Sequence, residues 1–305
     1  MSLDPSYLEY PRRRRGMDHD LYPWSNLFDR PAVSWPGGKG VAVCVVVSLE
    51  WFPLTPADKP FRAPGHMQTP FPDYRHYTSR DYGTRIGFYR LLDAFAAVGA
   101  KVSVAVNAAI AQRYPAVISE IIAAGHEIIA HSTDMNGTIA AGLEEEAERA
   151  LIGTALDVLE QATGTRPAGW LSIARSQSWN TPRLLAEAGV RYMCDWVNDD
   201  LPYAMRTPAG DIMNVPLSHE LSDRQIVNVL QQSADSYVRQ IQDAYTWLDR
   251  ESRTYGGRLL PLQVTPYILG LPYRIDAFDG LLRWLKDRDN SWFATGSEVV
   301  GATPR

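Results

Sequence analysis

Seven consecutive apolar residues, Val41-Ala-Val-Cys-Val-Val-Val47, run directly into Ser48-Leu-Glu50-Trp51. The run is valine-rich and free of Gly and Pro, so it predicts a strand buried on both faces, the condition of a parallel sheet covered by helices. The carboxylate at its exit narrows the choice, because α/β barrels and open sheets present their chemistry at the C-terminal ends of strands. The pattern repeats along the chain. Residues 101–106 read as a strand ending at Asn107, 127–130 as one ending at His131, and 169–173 as one leading through Ser172 to Arg175. Residues 191–194 end at Asp195-Trp196, 211–217 at Ser218-His219-Glu220, and 259–264 at Thr265, with a short last strand at 292–294. Between them lie helical stretches at 80–100, 115–124, 143–163, 181–188, 233–251 and 276–288. In the first of these, Ile86, Tyr89, Leu92 and Phe95 are expected on one face and Gly99 as the stop.

Strands alternating with helices predict βαβ units around a parallel sheet. About seven strands in 305 residues fit a single (β/α) barrel over residues 41–305, preceded by an N-terminal extension or arm over 1–40. The basic run Arg12 to Arg15 reads as a solvated arm or one packing on a neighbouring subunit. A net charge of −5 argues against a nucleic-acid partner. Cys44 and Cys194 lie in apolar runs and read as buried thiols, not a disulfide framework. No run approaches the ~20 apolar residues of a membrane span, so no membrane partner and a cytoplasmic location are expected. Residues 52–78, rich in Pro and aromatics and without a period, are expected to form a lid over the strand end that carries Glu50, while His19, His66 and His76 read as residues of irregular segments without a site role. Arg253 and Arg258 read as surface residues.

In a barrel, the strand-end residues Glu50, Asn107, His131, Arg175, Asp195, His219, Glu220 and Thr265 converge on one mouth. Acids, imidazoles and a guanidinium delivered there by independent strands point to a small-molecule site.

Several of these residues sit in segments that resemble the polysaccharide deacetylase (NodB homology) superfamily. They are Glu50 after its valine strand, Gly125-His126-Glu127 leading to His131-Ser132, Arg166-Pro167-Ala168-Gly169-Trp170 before Arg175, and Asp199-Asp200-Leu201-Pro202-Tyr203. Asp81-Tyr82-Gly83-Thr84-Arg85 and Gly270-Leu271-Pro272-Tyr273-Arg274 resemble more closely its allantoinase-like and cyclic-imide-hydrolase-like branch. The resemblance spans residues 30–300 and implies a deformed (β/α) barrel with about seven parallel strands, assembled as a homo-oligomer (dimer or tetramer) with the N-terminal arm as the candidate contact.

The departures from that family's pattern are specific. Its deacetylases hold a divalent metal with an acid of a paired-acid first motif and with two histidines four positions apart. Here the first motif aligns on Glu50 and Trp51, the second histidine position is Met135, and the late catalytic histidine aligns on Thr265. Zinc sites of catalytic type use three protein ligands, so the resemblance implies the metal-independent branch: hydrolysis of a non-peptide C–N bond in a small cyclic amide, imide or ureide. In that reading Glu50 is the general base, its pKa raised by partial burial. His131, hydrogen-bonded by Ser132 or Asp134, protonates the leaving nitrogen, and Arg175 or backbone N–H groups hold the oxyanion. Asn107, Asn136, Asp195 and Trp170 shape and bond the ring, and Trp51, Tyr82, Arg85, Asp134, Trp196, His219, Glu220, Thr265 and Tyr267 complete the expected substrate contacts. One alternative keeps Zn or another divalent metal on Glu50, His131 and His219 for N-deacetylation of a sugar or small amide. A second is a non-catalytic member that binds a small molecule.

Overall fold

The computed structural model describes residues 19–56 and 70–304. The basic run at 12–15 and His66 lie outside the described residues.

The valine run forms β1, Val41–Leu49, with all nine residues buried. The first helices, α1 (Tyr74–Tyr82) and α2 (Phe88–Val98), follow it and lead into β2 (Ser103–Val106). Next come α3 (Ala108–Arg113), α4 (Pro115–Ala123) and β3 (Glu127–Ala130), then α5 (Glu145–Thr163) and β4 (Gly169–Trp170). They are followed by α6 (Thr181–Glu187), β5 (Tyr192–Met193), β6 (Tyr203–Met205) and β7 (Ile212–Asn214). The chain ends with α7 (Ala234–Tyr255), β8 (Arg258–Val264), α8 (Pro266–Leu269), α9 (Ile275–Lys286), β9 (Ser291–Phe293) and α10 (Gly296–Ala302).

Seven parallel strands lie in the order β7-β5-β4-β3-β2-β1-β8. The short β9 pairs in parallel with Val41–Val43, the part of β1 that β2 does not reach, because β2 starts opposite Val46. The antiparallel β6 extends the β7 edge. No ladder joins that edge to β8 among the described residues, so the sheet curls without closing. This is the deformed (β/α) barrel expected from the sequence. No described helix is long and apolar enough to cross a membrane.

Alternation along β1 separates two cores. Val41, Val43, Val45, Val47 and Leu49 pack outward with the helices. Ala42, Cys44 and Val46 face inward with Ala105, Ile129, Leu171 and Cys194, and both cysteines are free and buried. Register carries this parity across the sheet, since Leu49 pairs with Val106, Val106 with Ala130, Ala130 with Trp170 and Trp170 with Met193. In the next row, Glu50, His131 and Leu171 therefore reach the mouth, with Asn107 buried between β1 and β3.

Four differences from the sequence reading have physical causes. First, α1 begins at Tyr74, inside the stretch read as loop. Its residues are nearly all polar and only Arg80 is buried, so no apolar period marks it; the Asp73 carboxylate caps it by accepting from His76 N at 2.9 Å. Second, a π turn at Gly83–Gly87 inserts an extra residue before α2. The helix consequently buries Phe88, Leu91, Phe95 and Val98, while Ile86 and Tyr89, expected inside, are exposed. Third, β4, β5 and β7 are two or three residues long, shorter than the apolar runs that contain them. Fourth, Arg258 is buried in β8, 3.4 Å from Glu251, not on the surface. The described part of the N-terminal extension lies on the barrel: Trp35 is buried and donates to Arg258 O at 2.9 Å, and Arg30 pairs with Asp199 at 2.5 Å.

The π turn packs backbone to backbone on α8, and a Cβ at Gly87 would collide with the carbonyl of Pro266. Gly87→Ala is expected to cost about 1–3 kcal/mol of stability in urea unfolding. Gly153→Ala, with nothing near its Cβ position in α5, should instead gain about 0.5–1 kcal/mol. Equal midpoints for the two variants would remove the close-approach argument.

Candidate active site

Glu50 emerges from β1 with its carboxylate almost fully buried, 1% exposed. Arg224 Nη2 donates to its Oε1 at 2.6 Å and the Tyr267 hydroxyl donates to its Oε2 at 2.7 Å. His131 Nε2 lies 3.6 Å from Oε1. Burial alone would raise the Glu50 pKa; Arg224 first, and then His131, outweigh it and hold it at about 2. The sequence expectation of a raised pKa is therefore overturned, because an unforeseen guanidinium sits against the carboxylate. Arg80 stands close behind, its guanidinium 5.1 Å from the centre of the Tyr267 ring.

His131 is set by a different contact from the one expected. Its Nδ1 lies 2.6 Å from the carbonyl oxygen of Leu171. A carbonyl only accepts, so Nδ1 carries the hydrogen and Nε2, which has no hydrogen-bond partner, is left to take or carry a proton. Ser132 instead donates to Gly137 O at 2.6 Å, and Asp134 accepts from Asn136 N at 2.8 Å.

Arg224 comes from a π turn, Arg224–Val229, in the irregular stretch between β7 and α7. The preceding Asp223 anchors it: its carboxylate accepts from Thr265 N at 2.6 Å and from Thr265 Oγ1 at 3.1 Å. Burial, only partly offset by those bonds and by Arg224, pushes Asp223 up to about 7.

Glu50, His131, Arg175, His219, Ser172, Ser222, Arg224 and Gln263 surround a cavity of about 120 Å³. This is well below the roughly 300–1,000 Å³ of drug-sized pockets, so it suits a small ligand. Three residues beside it, Ser132, Ala174 and Arg175, have φ of 64°, 54° and 54°. Left-handed backbone at non-glycine residues costs roughly 1–3 kcal/mol each and gathers at functional sites.

Of the residues singled out in the sequence, the structure brings Glu50, His131, Arg175 and His219 to the cavity, with Tyr267 bonded to Glu50. Others stand one layer back. Asp195 accepts from Ser172 N and Ser172 Oγ, both at 2.7 Å, and Trp170 Nε1 donates to Ser172 Oγ at 2.8 Å. Trp196 Nε1 donates to Gln177 Oε1 at 2.7 Å. Asn107 is fully buried, donates to His131 O and accepts from Trp51 N at 2.7 Å. Trp51 packs on Tyr114 and under Arg113. Thr265 is held by Asp223, and Glu220 lies exposed, 3.5 Å from Ser218 Oγ. Tyr82 accepts from Arg90 at 2.6 Å, and Arg85 lies exposed 3.5 Å from Asp81. Arg224, Gln263 and Ser222 were not foreseen; Gln263 alone had a signal, as an inward-parity residue near the end of a predicted strand.

A divalent ion does not fit this donor set. Arg224 already places a cation on the Glu50 oxygen that would ligate it, and the Met135 side chain is buried at the second histidine position. His219, on the same cavity wall, has its Nδ1 3.3 Å from the guanidinium of Arg175. Among the described residues no three His, Cys, Asp or Glu side chains form a group that could hold a metal.

The α/β half-barrel of this chain is shared by known proteins. Residues 73–193 match the family model described as polysaccharide deacetylase; the stretch includes His131 but neither Glu50 nor Arg224. The PuuE allantoinase structure is 26% identical with a TM-score of 0.84, covering 96% of this chain and 97% of its own. A probable polysaccharide deacetylase from Pseudomonas aeruginosa PAO1 is also 26% identical, with a TM-score of 0.82 and coverage of 92% and 97%. A Schizosaccharomyces pombe protein named for the polysaccharide deacetylases is 22% identical over 296 residues, 88% of this chain and 91% of that one. Residues 73–193 thus match a polysaccharide deacetylase domain, and the chain is similar over nearly its full length to structures that include an allantoinase.

The lowered Glu50 pKa carries a stability consequence. A carboxylate held at about 2 instead of its ordinary 4.5 contributes stability that is present above pH 4.5 and lost as pH falls toward 2, roughly 3 kcal/mol in all. Glu50→Gln is expected to flatten the fall in melting temperature across that window. An unchanged acid limb in the variant would show that Glu50 is not the group responsible.

Proposed function

We propose that this deacetylase-family hydrolase opens a C–N bond in a small cyclic amide, imide or ureide, with His131 moving the proton and no divalent metal taking part. The observation that carries the reading is Arg224 paired with Glu50 beside a His131 Nε2 that has no hydrogen-bond partner, on the wall of a small cavity. Full-length similarity to an allantoinase supports the ring class.

A general base works best with a pKa near the working pH. Glu50, held at about 2, is too weak for that task. A water at His131 Nε2 loses its proton to that nitrogen as its oxygen attacks the ring carbonyl carbon. The resulting imidazolium is stabilised by the Glu50 carboxylate 3.6 Å away, and Leu171 O fixes its ring orientation. We assign stabilisation of the developing oxyanion to the positive charge of Arg224, which lies on the cavity wall. When the C–N bond breaks, the imidazolium returns the proton to the leaving nitrogen, which restores neutral His131. Cyclic imides and ureides need less activation than a simple amide because their carbonyl is already electrophilic.

Turnover of hydantoin, dihydrouracil, succinimide and allantoin, set against N-acetyl sugars, tests the reaction class. On the ring compound that reacts, His131→Ala is expected to lower kcat/KM by about 10²–10⁴, and dialysis against a chelator should leave the rate unchanged. Stoichiometric metal whose removal abolishes turnover, or full activity in His131→Ala, would sink the proposal.

A further inference from the structure

The two cavity arginines differ in how their charge is met. Arg224 is neutralised by Glu50 at 2.6 Å. Arg175 forms no ion pair among the described residues, and its polar partners are all uncharged acceptors. They are Gln263 Oε1 at 2.6 Å, Ser218 O at 3.3 Å and His219 Nδ1 at 3.3 Å. Its Nε is sequestered from solvent and has no acceptor. Burial lowers its pKa to about 10, with Asp195 acting the other way at longer range, so it stays charged at neutral pH. Removing a cation from water without a counter-charge costs several kcal/mol. This one is nevertheless held firmly in place. Gln263 is fixed by donating to Ser48 Oγ at 2.8 Å, and Arg175 itself occupies the left-handed region at φ 54°.

The neighbouring polar groups have little left to offer a ligand. Ser172 Oγ donates to Asp195, and Ser222 Oγ donates to His219 O at 2.7 Å. Arg175, with five N–H groups and three polar contacts, keeps spare donors. The cavity therefore holds an unmatched positive charge with unused N–H groups, close to the Glu50–His131 pair but not bonded to it.

We propose that the substrate carries a carboxylate received by Arg175, so that the preferred ligands are small amides, imides or ureides bearing an acid group. This rests on the hydrolase reading above. The oxyanion at the scissile carbon belongs beside His131 and Arg224; the substrate's own anion belongs at Arg175. Arginine suits this role because its planar N–H array matches a carboxylate.

The test compares matched pairs by titration calorimetry on the full chain: dihydroorotate with its primary amide, and hydantoin-5-acetate with hydantoin-5-acetamide. At least one carboxylate is expected to bind at least about tenfold more tightly than its amide, as charge-assisted hydrogen bonds outweigh neutral ones. In Arg175→Gln that ratio should fall below about threefold. Should Arg175→Gln fail to fold, Arg175→Lys serves: its ratio should drop at least about threefold because the planar fork is lost. No carboxylate binding better than its amide, or an undiminished ratio in the folded variant, overturns the proposal. Turnover is read separately. Ring opening of neutral compounds without carboxylate preference overturns the anion site and leaves the hydrolase reading standing. An Arg175-dependent preference without any ring opening upholds the anion site and counts against the hydrolase reading.

Discussion

A carboxylate as deeply buried as Glu50 would be driven toward its neutral form unless its charge were met at close range. Three elements meet it: the π turn that carries Arg224, the short helix that carries Tyr267, and the end of β3 that carries His131. None of these is a sequence neighbour of Glu50. The ion pair therefore ties the first strand to the last third of the chain and fixes Arg224 on the cavity wall. Breaking it from either side would leave an uncompensated buried charge, which typically costs about 3–5 kcal/mol.

The positions that depart from the metal-binding pattern of the resembled family make structural contacts of their own. Trp51 donates its N–H to Asn107, and its carbonyl accepts from Met135 N at 3.0 Å, so two substituted positions are bonded directly to each other. Thr265, standing where the late histidine would be, anchors Asp223 and through it the turn that presents Arg224. The exchanges are coupled: the residue in place of one catalytic group holds the cation that faces Glu50.

Much of the fold was legible because its main signal is long and apolar. Strand β1 and helices α5, α7 and α9 follow from runs and periods that tertiary context had little reason to override. The site was legible to the level of strand ends and no further. A strand buried on both faces carries no alternation in its sequence, so nothing distinguishes an inward residue such as His131 from an outward one such as Trp170. Register settles it only once the sheet is built, which is why Trp51, Trp170 and Asp195 lie behind the mouth. Arg224 gave no signal because it sits in a polar, aperiodic stretch between β7 and α7, and its importance arises from a contact 174 residues away. Helix α1 was hidden for the related reason that it buries only Arg80.

Charge balance then separates two guanidiniums that look alike in sequence. Arg224 is half of a neutral pair, so it lines the cavity without changing the cavity's net charge. Arg175 has no matching acid and is held by an amide, a carbonyl and an imidazole. A protein that needed only rigidity at this point could use an uncharged side chain and avoid both the desolvation of a cation and the left-handed backbone beneath it. Retaining a charge there makes physical sense if a ligand completes it, because the interaction then strengthens in the same low-dielectric setting that penalises the empty state.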